Sequence, residues 1–190
     1  MHIETDGVFA RSMVSPSSIQ PREFHAQGAT ASAASVTAGA TVVNTGSTAA
    51  TTSLAFALYN ADGQPVGSSV SADVSVAAAA NSSSPATATS KTVSIDVPAP
   101  ELWSVARPYV YTLVVTSSEG DVYNTTLGIY STKWTGDHGF FLNNEHVKIR
   151  GFCNHESFGG VGMAIPDRIN LFRAQALRSV GGNGWRMSVS

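Results

Sequence analysis

The sequence predicts a mostly β chain: an immunoglobulin-like β-sandwich followed by an incomplete first portion of a (β/α)8 barrel. Three observations point there. About seven segments of alternating apolar and polar residues recur, with turn signals between them at roughly 8–14-residue spacing. The run from Gly139 to His155 reads as a hairpin whose second arm runs into a segment rich in His, Asn, Glu and Gly. After it comes one helical pattern closed by paired glycines and then a further strand, the order expected of a parallel β/α unit. The implied division is 1–135 for the sandwich and 136–190 for the start of the barrel.

Residues 2–4 and 7–14 alternate weakly and suit an edge strand, closed by Ser15-Pro16-Ser17-Ser18. No pattern holds from there to about residue 30. Over 34–43, Ser35, Thr37 and Thr41 alternate with apolar neighbours. Over 53–59, Leu54, Phe56 and Leu58 share one face, the period-2 mark of a half-buried strand. Asn60-Ala-Asp-Gly63 is a hairpin signal leading into a strand over 65–76. Residues 77–90 are Ala, Asn, Ser, Thr and Pro without period and read as a long loop.

Val93, Ile95 and Val97 define the next strand, over 91–97, stopped by Pro98-Ala-Pro100. Trp103, between Pro100 and Pro108, is expected to plug the core between the sheets; no polar cluster nearby supports a sugar-stacking role. Strands over 109–116 and 121–130 flank the turn Ser117-Ser-Glu-Gly120. At the joint, short strands over 140–142 and 146–152 meet at Asn143-Asn144, a pair tolerant of the left-handed backbone a tight hairpin needs. Beyond the loop 154–164, Asp167 stands where a helix begins, able to cap N–H groups or meet the dipole. Ile169, Phe172, Ala176, Leu177 and Val180 form its apolar stripe, with Arg168, Asn170, Arg173, Gln175 and Arg178 largely elsewhere. Gly181-Gly182 ends it, and Asn183 opens the next strand.

Composition narrows the function. The 190 residues carry a net charge of −2 and are 13% charged, so neither a nucleic-acid footprint nor a membrane-surface patch is expected. No run of about 18 apolar residues suggests a membrane span, and the first residues lack the regions of a signal peptide. The abrupt, strand-like start suggests that something normally precedes it. A single cysteine, Cys153, excludes an internal disulfide and reads as a small buried apolar residue rather than a nucleophile. No His, Cys, Asp and Glu spacing suits a metal and no Gly loop suits a phosphate, so no cofactor is expected. Asn81-Ser-Ser and Asn124-Thr-Thr fit the glycosylation pattern, which often arises by chance.

Five pieces in order carry a family resemblance. They are Leu102-Trp-Ser with Pro108-Tyr-Val-Tyr-Thr-Leu; Leu127-Gly-Ile; Gly139-Phe-Phe-Leu-Asn; Val147-Lys-Ile-Arg-Gly with Asn154-His-Glu; and Gly181-Gly-Asn-Gly-Trp-Arg-Met-Ser, which fits G-x-N-x-x-R-x-S. Together they resemble glycoside hydrolase family 2, its β-galactosidase branch in particular. The resemblance spans the chain, strongly from Glu101 onward. It implies a sandwich preceding a barrel that hydrolyses terminal β-linked sugars with retention.

By that resemblance His155, just past the first barrel strand, matches a sugar-contacting histidine, and Arg186 matches an arginine at the end of the second strand. Asn154 and Glu156 flank the same rim, so these four are the candidate substrate-binding residues and a carbohydrate is the expected partner. Each also has a plain structural reading, as a loop residue or a rim ion-pair partner. A retaining enzyme needs two carboxylates about 5 Å apart. Glu145, in a hairpin turn, and Glu156 are not expected to form such a pair. The resemblance places both catalytic glutamates on later strands, beyond Ser190. The family pattern R-x-S-H-x-P is also broken, because Val189-Ser190 follow Ser188. The chain therefore reads as a fragment inactive alone, or one ending in an altered reading frame. A non-catalytic carbohydrate- or protein-binding module, or a purely structural domain, are the alternatives. Since two strands and a helix close no barrel, the apolar faces of 147–152 and of the helix are expected to stay partly uncovered.

Overall fold

Residues 1–21, 29–81 and 84–187 are described by the structure, a computed structural model. Along them run β1 (His2–Val14), β2 (Ile19–Pro21), β3 (Ala29–Ala31), β4 (Ala33–Asn44), β5 (Ala50–Tyr59), β6 (Pro65–Val76), β7 (Ala86–Thr89) and β8 (Val93–Pro98). Then follow β9 (Tyr111–Ser117), β10 (Val122–Leu127), β11 (Thr132–Thr135), β12 (Gly139–Leu142), β13 (Glu145–His146), β14 (Gly151–Asn154), α1 (Asp167–Ser179) and β15 (Gly184–Met187). The chain is mostly β, and it divides into two compact units. The first holds Met1–Thr132 with Leu142–Asn144; the second holds Lys133–Phe141 and Glu145 onward.

The first unit is a sandwich of two four-stranded antiparallel sheets. One carries β4 between β1 on one side and β7 and β8 on the other; its partner runs β10-β9-β5-β6. Alternation explains the core. Val36, Ala38, Ala40 and Val42 of β4 face inward with Leu54, Phe56 and Leu58 of β5 and Leu113 and Val115 of β9, and all are essentially sealed from solvent. Each large side chain so buried contributes about 1.5–3 kcal/mol. The edge strand β1 bends at a register shift between Ile3 and Val8, with Asp6 at φ 61°. That bend is held from β10 and its turn: the Ile3 N–H donates to Asp121 Oδ2 (2.6 Å), and the Tyr123 hydroxyl donates to Asp6 Oδ1 (3.2 Å).

Four sequence expectations about the sandwich and the joint are corrected. Residues 77–90 are not one loop, because β7 pairs with the end of β4 from Thr41↔Thr89 to Asn44↔Ala86. Backbone pairing suffices there, although the Ala and Thr side chains carry little apolar signal. The unpatterned stretch before residue 30 yields the short pair β2–β3, while residues 22–28 lie outside those described. Leu102, not Trp103, is the residue sealed in the core. Trp103 is half-buried and lies over Gly128, where an added Cβ would come within 2.9 Å of it, and beside the Tyr130 ring at 5.9 Å. Finally, the second hairpin arm is not continuous: β13 ends at His146 and β14 starts only at Gly151.

The hairpin turn itself is as expected, with Asn143 and Asn144 at φ 51° and 65°. Asn143 also belongs to the sandwich. It is 4% exposed; its Oδ1 accepts from the Ser131 N–H and its Nδ2 donates to the Trp103 carbonyl, both at 2.9 Å.

In the second unit β11, β12 and β13 form a three-stranded sheet, with the Trp134 and Phe140 rings 4.7 Å apart. β14 and β15 pair in parallel, and α1 lies between them in sequence. Pro166 is the N-cap of α1 and offers no side-chain cap bond; Asp167 stands in the first turn, where its carboxylate meets the positive end of the helix dipole. Gly181, at φ 80°, ends the helix by donating to the Arg178 carbonyl at 3.0 Å. No residue of α1 is buried: Phe172 stays 59% and Leu171 57% exposed, and Phe152 of β14 is 54% exposed. The apolar faces are uncovered, as the strand count implied.

Candidate functional site

A parallel β–α–β unit gathers polar residues at the carboxyl ends of its strands, because both chains finish on the same edge. Here the register is Gly151↔Gly184, Phe152↔Trp185, Cys153↔Arg186 and Asn154↔Met187. Asn154 closes β14, His155 and Glu156 follow it, and Arg186 stands one residue before the end of β15. The four sequence candidates therefore share one edge. Arg186 Nη1 lies 3.6 Å from Cys153 Sγ across the strand pair. Cys153 is exposed rather than buried, which corrects the expectation for it.

The loop that carries His155 and Glu156 is tied down from the helix. Arg173 donates through Nη1 to the His155 carbonyl at 3.1 Å and through Nη2 to the Ser157 carbonyl, and its guanidinium stands 5.0 Å from the Phe158 ring centroid. From the sequence, Arg173 is expected largely off the apolar stripe. It instead lies within it, one turn from both Ile169 and Leu177, where its charge faces backbone carbonyls. A cation interrupting an otherwise apolar stripe was the signal that could have identified it. Asn183 was read only as the start of a strand, yet its side chain bonds the chain entering β14 at both ends of the amide.

Between α1 and the two strands lies a groove of about 370 Å³ lined mainly by Phe152, Phe172, Ala176, Leu177, Val180 and Trp185, with Cys153, Asn154 and Arg173 also on its wall. The Trp185 indole N–H is buried there without a partner among the described residues. Its apolar lining makes it packing space rather than a place for a polyhydroxylated ligand. Glu145 and Glu156 sit on separate pieces of structure, one opening β13 and one following β14, which belong to different sheets. No group of three or more His, Cys, Asp or Glu positioned to hold a metal occurs among the described residues. No helix of the structure is long and apolar enough to cross a membrane.

Among the described residues, a shifted titratable group lies in the sandwich. Burial pushes the Tyr111 hydroxyl up to about 12, against the opposing effect of its bond to the Glu101 backbone. It accepts from the Glu101 N–H at 2.9 Å. It is a structural tyrosine at a loop corner, remote in role from the rim.

Comparison with known proteins brings in names. The model of the family described as Glycosyl hydrolases family 2 matches residues 22–129. A β-galactosidase of Bacteroides ovatus is 36% identical over 98 residues, 50% of this chain and 12% of its own length. A putative β-glucuronidase of Formosa agariphila is 34% identical over 98 residues, 50% of this chain and 10% of its own. Among solved structures, a glycosyl hydrolase family 2 member from Bacteroides cellulosilyticus has a TM-score of 0.75 at 23% identity, covering all of this chain and 24% of that one. A β-glucuronidase from Bacteroides uniformis has a TM-score of 0.72 at 22% identity, over 97% of this chain and 20% of that one. The matched stretch of this chain thus spans about a tenth of the length of those curated relatives, and the structural likenesses speak to fold alone.

Proposed function

The chain belongs to glycosyl hydrolases family 2, and on that premise we propose that it contributes the immunoglobulin-like sandwich and the opening β/α portion of a (β/α)8 barrel. The enzyme so built is a retaining glycosidase acting on terminal β-linked sugars, β-galactosides first, the substrate class in the name of the Bacteroides ovatus relative. Asn154, His155, Glu156 and Arg186 form one side of its sugar-binding rim, and the two catalytic glutamates come from outside these 190 residues. One observation carries the reading: parallel pairing of β14 and β15 sets Asn154 and Arg186 at the same carboxyl edge, with His155 next in line. Neutral hydroxyls of a sugar suit such a mixed donor and acceptor set, with Arg and Asn donating and Glu accepting.

Two measurements on the 190-residue chain test it. Chromogenic β-galactoside and β-glucuronide should not be turned over; hydrolysis abolished by Glu156→Gln would overturn the assignment of the catalytic pair elsewhere. Titration with galactose, followed by amide NMR, should move signals at 154–156 and 186. A second reading, a sandwich that itself binds carbohydrate, is favoured by a groove of about 500 Å³ beside β1 where Arg11, Met13 and Tyr130 line the wall. Shifts confined to that groove would replace the rim proposal with this one.

A further inference from the structure

The rim residues face one another only if β14 and β15 keep a single register. A slip of one residue would turn Arg186 to the opposite face of the pair and take it away from the Asn154 end. Two strands of four residues each have few ladder bonds with which to resist that slip. The bonds that resist it lie at the other end of the pair. There, Asn183 Oδ1 accepts from the Arg150 N–H at 2.7 Å, Asn183 Nδ2 donates to the Lys148 carbonyl at 3.0 Å, and the Asn183 N–H donates to the Arg150 carbonyl at 3.0 Å. One residue thus meets the chain entering β14 at two positions, 148 and 150, with backbone and amide together. Just beyond, Gly184 admits no Cβ, since one would lie 2.8 Å from Ile149 Cγ2 and 3.3 Å from Gly151 Cα. Two close approaches in succession leave room for one alignment only.

We infer that Asn183 is a positioning residue: it locks the β14–β15 register and thereby sets Arg186 beside Asn154 and His155. The inference rests on the reading of those three as the sugar-facing rim, but its test does not. A carboxamide suits this role because it offers an acceptor and a donor side by side, matching an N–H and a carbonyl two residues apart on the facing chain.

The sole cysteine of the chain is a built-in reporter, since Cys153 stands opposite Arg186. Neighbouring strands lie about 4.8 Å apart, within disulfide reach. Arg186→Cys, Trp185→Cys and Met187→Cys are each oxidised with copper phenanthroline and air, and the disulfide yield to Cys153 is measured. With Asn183 in place the bond should form at 186 in preference to 185 and 187. In an Asn183→Ala background that preference should fall roughly thirtyfold, the factor that two ordinary side-chain hydrogen bonds of about 1 kcal/mol each represent. Asn183→Asp, which keeps the acceptor for the Arg150 N–H, should retain part of it. Far-UV circular dichroism of the helix signal accompanies each variant. Preference for 186 that is absent at the outset, or unchanged by Asn183→Ala, overturns the inference. Loss of helix signal together with preference does so too, because it shows general support rather than a register lock. Failure of galactose to shift the rim, with register selectivity intact, would reject the sugar reading and leave the lock standing.

Discussion

Replacing Asn143 with Ala is predicted to cost the sandwich about 3 kcal/mol, from the bonds it severs and the backbone it strains. The side chain is 4% exposed and makes two hydrogen bonds to backbone groups of residues far away in sequence, Ser131 and Trp103. Each such bond contributes about 1 kcal/mol net, and removal also strands a part-buried N–H and a carbonyl. The residue sits at φ 51°, where Asn is tolerated and Ala is penalised by roughly 1 kcal/mol. Asn143→Gly separates the two contributions: it relieves the backbone but still loses both bonds, so it should fall between wild type and Ala, about 1 kcal/mol above Ala. Urea unfolding gives the energies, and hydrogen exchange at the Ser131 amide reports the severed bond directly. A loss below about 0.5 kcal/mol, the scatter of ordinary surface substitutions, would refute the reasoning. So would a glycine variant less stable than the alanine one.

Other consequences are more local. Hydrogen exchange across α1 should be fast relative to β4, β5 and β9, because none of its residues is buried; core-level protection there would contradict the exposure. Because the Tyr111 hydroxyl is held neutral up to about 12 in the folded sandwich, above its ordinary 10, stability from that group is full below pH 10 and declines as pH rises toward 12. Tyr111→Phe should flatten that decline in alkaline unfolding experiments. Gly67 has φ 68°, and a Cβ there would stand 2.3 Å from the Asp96 carbonyl oxygen, so Gly67→Ala should lower the urea midpoint sharply, while Gly63→Ala, with open space around it, should cost only backbone strain of about 1 kcal/mol. Equal effects at the two positions would show that the contact with β8 is not formed.

Which parts of this fold could be read from residues follows from how each part is stabilised. Leu54, Phe56 and Leu58, or Val93, Ile95 and Val97, announce their strands because the side chains themselves are the driving force, and each alternation maps onto one buried face. Ala86–Thr89 is held mainly by backbone pairing to β4, so its small side chains left no period to detect. Trp103 was misplaced for a related reason. Aromatic size suggested a core position, but Leu102 already fills it, and the indole finds its space only because Gly128 lacks a side chain. That vacancy depends on two segments meeting across the sandwich, which no local pattern records.

The rim divides the same way. Asn154, His155 and Glu156 stand out as polar residues following an apolar arm, whereas Arg186 is singled out by the family resemblance. Illegible were the side chains that hold it, Arg173 and Asn183, since both act on carbonyls and amides rather than on side chains, and backbone groups are the same in every sequence. The contrast has a physical consequence for the second unit. The helix stripe and the Phe152 face retain their exposed apolar surface, so little hydrophobic burial holds β14 and β15 together. Directional hydrogen bonds from Arg173 and Asn183 must then supply most of the geometric definition of the rim. Loss of either should disorder the rim while leaving the sandwich core, with its own sealed side chains, unchanged in stability; a matching drop in sandwich unfolding energy for Arg173→Ala would contradict that separation.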